Sequence, residues 1–265
     1  MIDNSEFAKK MRITILNMIH NAHASHIASA FSVVDILAVL YNEILADNDF
    51  DSKNMDRNQV VLSKGHAGSA VYSALFQRGL VSKADIGNYY LNGSNLSGHV
   101  SHKGVNGVEV STGSLGHGVC VASGMALAKK MSNNNGKVFA IVGDGECQEG
   151  SVWEMAMLSS AKKLNNLVVV VDKNNMQAMG KCMDVTNCDN LAEKWKVFGW
   201  NVIEVDGHNY EQIKDALIYN SDKPLCIIAN TIKGRGVSFM ENELLWHYRD
   251  PQEEFYTRAM EELNK

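Results

Sequence analysis

Apolar residues recur at helical spacing over residues 5–22 (Phe7, Met11, Ile13, Ile15, Leu16, Ile19) and predict an opening helix. A small, polar stretch follows over 23–31. Ser32, three residues before Asp35, has the form of a capping box and predicts a second helix from there to about Leu45. Another helix is expected after Gly65-His66, through Leu75. Glycine-rich loops occupy 93–118, and Ser114 precedes a small-residue helix reaching about Met131. The pattern then changes to strand, helix, strand. Residues 138–142 are a continuous apolar run ending at Gly143, a helix covers about 150–163, and 167–171 is the next run. Two more strands are expected at 200–205 and 225–228, with a helix near 210–219 between them. Asp250-Pro251-Gln252-Glu253 has the N-cap, proline and glutamate of a closing helix start. Near-continuous apolar strands alternating with helices predict an α/β fold, a parallel sheet with helices on both faces.

With 265 residues and 45% hydrophobic content, one sizeable core is expected, and no repeat or Pro- or Ser-rich linker divides the chain. The simplest organisation is one domain over 1–265. Lys and Arg total 25 against 30 Asp and Glu, a formal charge of −5 without a basic stripe, so a nucleic-acid partner is not expected. The polar, acidic start Met1-Ile2-Asp3-Asn4-Ser5-Glu6 does not have the form of a signal peptide. Apolar runs such as 167–171 are too short to cross a bilayer. These features predict a cytoplasmic protein without a membrane partner. Five cysteines (Cys120, Cys147, Cys182, Cys188, Cys226), an odd number with no C-x-x-C pair, predict reduced thiols rather than a disulfide framework or zinc site.

The chemistry centres on Gly143-Asp144-Gly145, directly after a buried strand and before a helix. In an open α/β sheet that is the carboxyl edge, where ligands bind. Asp172-Lys173-Asn174-Asn175 reaches the same edge from the next strand. Asp144 and Asn174 would then be two oxygen ligands for a hard cation such as Mg²⁺, which shares its shell with phosphate and water. Either motif alone is ordinary loop chemistry; each at a strand end, with one helix between, is not. No G-x-x-x-x-G-K-[ST] occurs and 113–118 does not match G-x-G-x-x-G, so neither a nucleoside triphosphate nor a dinucleotide is favoured.

Gly143-Asp144-Gly145 followed by Asn174-Asn175 resembles the thiamine-diphosphate signature, and Gln148-Glu149-Gly150 with Glu154 resembles the transketolase family in particular. The stretches 62–67, 97–99, 107–116, 206–208 and 233–242 agree with that family in order, over nearly the whole chain. The resemblance implies a diphosphate-binding domain holding thiamine diphosphate with Mg²⁺, or Ca²⁺ or Mn²⁺ in its place. It implies Asp144 and Asn174 as metal ligands through their side chains and Met176 through its carbonyl. It places Gly143, Gly145, His66 and His247 at the diphosphate and the Gly113-Ser114-Leu115 turn against the cofactor through backbone groups. Glu149 matches a glutamate the family keeps near the subunit interface, linked to the partner's activating glutamate.

Among nine histidines, His26, His66, His99 and His247 match those lining the family's active site. Near-neutral imidazoles suit the proton transfers that accompany carbon–carbon cleavage in a sugar. The resemblance gives His26 and His247 that proton traffic, His99 a terminal hydroxyl of the donor, and His66 both diphosphate and substrate. His117 and His208 stand behind them; His20, His23 and His102 read as structural or solvated. Two departures from the family are Ser25-His26-Ile27-Ala28-Ser29 in place of Gly-His-Pro-Gly-Gly, and Tyr248 where a glycine commonly follows the last histidine. The first, which changes the loop presenting His26, points to an unusual sugar.

The resemblance further implies a second chain carrying the pyrimidine-binding domain, which supplies the activating glutamate, and an α2β2 assembly. The reaction implied is transfer of a two-carbon ketol unit from a ketose or ketose phosphate to an aldose, through a thiamine-bound dihydroxyethyl group. Three alternatives stay open at this point. They are the α subunit of a 2-oxoacid dehydrogenase E1, a fragment of 1-deoxyxylulose-phosphate synthase, and a non-catalytic cofactor-binding module.

Overall fold

The computed structural model describes residues 2–186 and 190–265, and Cys188 lies outside them. The chain opens with α1 (Asn4–Ala22), capped by Asp3, whose carboxylate accepts from the Glu6 N–H at 2.8 Å. Next come α2 (Ile27–Val39), closed by a π-helical turn over Leu40–Ile44, then β1 (Gln59–Leu62), α3 (Gly68–Gln77) and α4 (Lys83–Gly87). After the predicted glycine-rich loops the order is α5 (His117–Met131), β2 (Val138–Gly143), α6 (Gly150–Ala161), β3 (Leu167–Lys173), α7 (Cys182–Thr186) and α8 (Leu191–Val197). The chain finishes with β4 (Asn201–Asp206), α9 (Tyr210–Ile218), β5 (Leu225–Asn230) and α10 (Glu254–Leu263).

The five strands form one sheet in the order β1-β2-β3-β5-β4, every pair parallel. Alternate strand residues feed two cores. Phe139, Ile141, Val168, Val170 and Ile227 pack with α1, α2, α3 and α9, whereas Val138, Ala140, Val169, Val171 and Cys226 pack with α5, α6 and α8. Both faces are covered, as continuous apolar strands require.

α2 is buried on every side. Its extension, Ile27–Ile44, has a mean hydropathy of 1.6 and is long and apolar enough to cross a membrane, contrary to the reading of the sequence. Since 83% of that window is buried inside the chain, it serves as the central core helix.

Two helix starts differ from expectation. α2 begins at Ile27, because His26 adopts a left-handed backbone (φ 72°) and its carbonyl accepts from the Ala30 N–H at 3.0 Å. Ser32 and Asp35 lie inside the helix and make long-range contacts. Ser32 donates to Asp172 at 2.6 Å and Asp35 receives both Arg12 guanidinium nitrogens at 2.7 and 3.0 Å. At the other end, α10 starts at Glu254 rather than beside Asp250, and Glu253 has φ 50°. The Asp250 carboxylate is engaged by His23 Nδ1 at 3.0 Å and Gln252 Nε2 at 2.8 Å instead of capping. β1, four residues long, and the short helices α4, α7 and α8 had no element predicted for them. Cys120 and Cys226 are free thiols.

Candidate active site

Four neighbouring strands release their chain at one edge of the sheet. β1 leads into Lys64 and His66, β2 into Asp144, β3 into Asn174 and Met176, and β5 into Thr231 and Lys233. A cleft of about 350 Å³ opens there. His26, His66, His99 and His247 line it, together with Gly113 and Leu115 from the turn before α5. Gly143, Asp144 and Gly145 form part of its floor, Asn174 and Met176 another, and Glu149 stands at its exposed rim. Ser114 is the one predicted residue that does not line the cleft; it is exposed, and its carbonyl accepts from the His117 N–H at 3.3 Å to turn the chain into α5.

The registry of β2 on β3 pairs Gly143 with Asp172, which sets the two loops side by side. Asp144 is 2% exposed; its carboxylate accepts from the Gly145 N–H at 2.8 Å and from the Asn175 N–H. Burial and the Asp172 carboxylate push its pKa up to about 6. Asn174 Oδ1 accepts from the Met176 N–H at 3.1 Å. Asp172 lies beneath, paired with the Lys64 ammonium and held by the hydroxyls of Ser32 and Thr231. Burial opposes its charge, but these partners, Lys64 foremost, keep its carboxyl below the usual range.

The histidines gather as expected. The His26 ring centroid is 5.3 Å from His66, 5.7 Å from His99 and 5.1 Å from His247. The left-handed His26 also donates its N–H to the His247 carbonyl at 2.9 Å, tying the loop before α2 to the segment before α10. Burial, then neighbouring His99 and the lysines Lys233 and Lys64, lower the His26 pKa to about 4. Burial and Lys233 lower His247 to about 3, and burial with Lys64 lowers His66 as well.

These imidazoles are therefore neutral in the folded chain above the ordinary histidine pKa of 6.5. Below it the unfolded chain takes up protons that the folded chain refuses, so stability declines as pH falls from 6.5 towards 4 for His26 and 3 for His247. Urea unfolding at pH 7.5 and 5 measures this, and His26→Asn is expected to show a shallower loss than the wild type. An equal loss in the two proteins would contradict it.

Three features of this site lie outside the motif roles read from the sequence. Lys64 lines the cleft and Lys233 stands behind the lining, against His247 and the Gln177 carbonyl; each is 1% exposed. Glu146 is 2% exposed and joins three cleft loops: it accepts from the Ser63 hydroxyl, from the Gly116 N–H at 2.9 Å and from the Gly143 N–H at 3.1 Å. Only its place after Gly145 signalled it. Glu146→Ala strands two buried donors and one half-buried donor and is expected to lower unfolding free energy by about 2–4 kcal/mol. Urea unfolding checks this; a loss well under about 1 kcal/mol would show that Glu146 does not hold the loops together.

The third feature bears on the ligand. The side-chain Nε2 atoms of Gln148 and Gln177 are buried, line the cleft, and have no hydrogen-bond partner among the described residues. Unsatisfied amide donors, the Lys64 ammonium in the lining with Lys233 behind it, and open space before Gly143, where an added Cβ would meet nothing closer than 3.9 Å, together fit an anionic group such as a diphosphate. No cluster of three or more His, Cys, Asp or Glu among the described residues could hold a metal. A cation here would rely on Asp144, amide and carbonyl oxygens, and ligand phosphates, a donor set that suits Mg²⁺.

Similarity to known proteins agrees with this geometry. An apulose-4-phosphate transketolase subunit of Phocaeicola vulgatus is 36% identical over 261 residues, covering 97% of this chain and 92% of that protein. The 6-deoxy-6-sulfo-D-fructose transketolase subunit SqwG of Clostridium sp. is 35% identical over 267 residues, covering 100% of this chain and 97% of that protein. The crystal structure of transketolase from Campylobacter jejuni superposes with a TM-score of 0.92 at 32% identity. That superposition covers 98% of this chain, which spans 42% of the Campylobacter chain. Residues 3–249 match the family described as transketolase, thiamine diphosphate binding domain, and the chain belongs to that family.

Proposed function

We propose that this chain is the diphosphate- and metal-binding subunit of a two-subunit transketolase, and that it moves a two-carbon ketol unit from a ketose to an aldose once its partner is bound. The observation that carries the reading is the convergence in one cleft of His66, Asp144, Asn174 and Met176, from the ends of the adjacent strands β1, β2 and β3, with His247 from the turn before α10. Residues 1–265 act as a single diphosphate-binding domain. The partner carries the pyrimidine-binding domain, and two copies of each make the assembly. Near-full-length relatives named as subunits support the division of labour. Val121 on α5 and Met157 and Leu158 on α6, two helices that pack together, are exposed apolar residues available for assembly.

Asp144 and Asn174 hold Mg²⁺ through side-chain oxygens and Met176 through its carbonyl; Ca²⁺ or Mn²⁺ substitutes. Gly145, His66 and His247 face the diphosphate, the 113–115 turn contacts the cofactor through its backbone, and the amides of Gln148 and Gln177 add donors. When bound, thiamine diphosphate supplies the thiazolium group at which carbon–carbon bonds are broken and made. Neutral His26 takes the proton from a substrate hydroxyl and returns it in the reverse direction. His99, exposed at the cleft mouth, binds the donor's terminal hydroxyl. The names of the relatives point to phosphorylated or sulfonated sugars as the class handled.

Calorimetric titration of the chain with thiamine diphosphate tests the binding half of this reading. Saturable binding that needs Mg²⁺ is expected; binding that is absent, or unaffected by chelating the metal, would overturn it.

A further inference from the structure

Lys233 Nζ lies 3.0 Å from His247 Nδ1, with both side chains buried. An ammonium carries donors only, so in this contact Nδ1 is the acceptor. A neutral imidazole has one ring proton, which must then sit on Nε2. We propose that Lys233 is a positioning residue that locks His247 as the Nε2–H tautomer, making it a fixed hydrogen-bond donor into the cleft. In this form Nε2 already carries its proton, and the ring's one acceptor lone pair, on Nδ1, is occupied by Lys233, so His247 cannot take a proton from a group in the cleft. It therefore donates to ligand oxygens, and the proton-accepting role falls to His26. The consequence for catalysis rests on the proposed transketolase reading; the tautomer itself does not.

The fold holds Lys233 in place from several directions. His208 Nε2 accepts from the Ile232 N–H at 2.8 Å while its Nδ1 donates to Asp35 at 2.7 Å. Arg12, bidentate on Asp35, also donates from Nε to the Arg235 carbonyl at 3.0 Å. Thr231 donates to Asp172. Gly234 follows with φ 81°, and a Cβ there would come within 2.3 Å of the Met240 carbonyl oxygen, so the turn that aims the lysine requires glycine. The Lys233 ammonium also donates to the Gln177 carbonyl at 3.3 Å, and no carboxylate lies within 4.0 Å of it among the described residues. Burial and Lys64 lower its pKa to about 8, while Asp144, Asp172 and Cys182 act in the opposite direction. Lys233 thus remains the protonated partner at neutral pH, since His247, facing Lys233, His26 and Lys64, is lowered to about 3.

The test is nitrogen-15 NMR of histidine side chains in the full chain, without cofactor, at pH 7.5, with His247 assigned from the signal lost in His247→Asn. A proton on Nε2 and none on Nδ1 is expected. A proton on Nδ1, or on both nitrogens, in the wild type overturns the proposal whatever any variant does. In Lys233→Met the ring should lose its tautomer preference and titrate about one pH unit or more higher, and Lys233→Arg should restore the wild-type pattern. An unchanged tautomer and titration in folded Lys233→Met would equally overturn it. Because no cofactor or substrate is present, failure here leaves the transketolase reading standing, and failure of that reading leaves this result intact.

Discussion

Asp144→Ala is expected to weaken magnesium-dependent binding of thiamine diphosphate by about 100-fold or more. The substitution removes the one carboxylate proposed to hold the cation and leaves the Gly145 and Asn175 N–H groups without their acceptor. Those lost hydrogen bonds would ordinarily destabilise the fold by about 1–3 kcal/mol each. An opposing effect offsets them. The Asp144 pKa is raised to about 6 from 3.8, so at neutral pH its buried charge works against folding, and that cost vanishes with the side chain. The unliganded variant should therefore melt near the wild-type temperature while calorimetry records almost no heat with cofactor and Mg²⁺. Wild-type affinity in a folded variant would remove Asp144 from the metal site.

His26→Asn in the complete two-subunit enzyme is expected to lower kcat by about 10²–10⁴-fold, the usual contribution of a positioned general base or acid. Asparagine is chosen because position 26 has φ 72°, a left-handed conformation that asparagine tolerates better than most residues. It retains polarity but cannot carry the proton. Cofactor affinity should change only a few-fold, since the diphosphate and metal contacts are assigned to other residues. Steady-state kinetics with a ketose donor, together with calorimetry, separates the two effects. A large loss of cofactor affinity with kcat retained would place His26 at the cofactor instead of the substrate.

Much of the architecture was legible in the chain because buried parallel strands leave an unmistakable apolar signature. Residues 138–142 and 167–171 announced the central strands, and Asp144 and Asn174 follow directly after them at one edge of the sheet, as the motifs had it. β1 escaped because Gln59–Leu62 is only four residues long and merges into its motif. Ser32 and Asp35 misled because a local capping pattern cannot reveal partners far along the chain, Asp172 for the serine and Arg12 and His208 for the aspartate. Asp250 misled similarly, its carboxylate being taken by His23 and Gln252. At the site, the motif histidines could be named from position. Their coupling through Lys233, and the stapling of three loops by Glu146, depend on approaches that only the fold brings about.

The central claim is that this chain works as a transketolase only together with a partner bearing a pyrimidine-binding domain. Tagging the chain, isolating it from its own cells with thiamine diphosphate and Mg²⁺ present, and assaying ketol transfer by the isolate and by the chain alone tests it most directly. The account predicts a co-isolated chain with that domain, activity in the isolate, and none in the chain alone. A chain that emerges unaccompanied, or that transfers ketol units unaided, would contradict it.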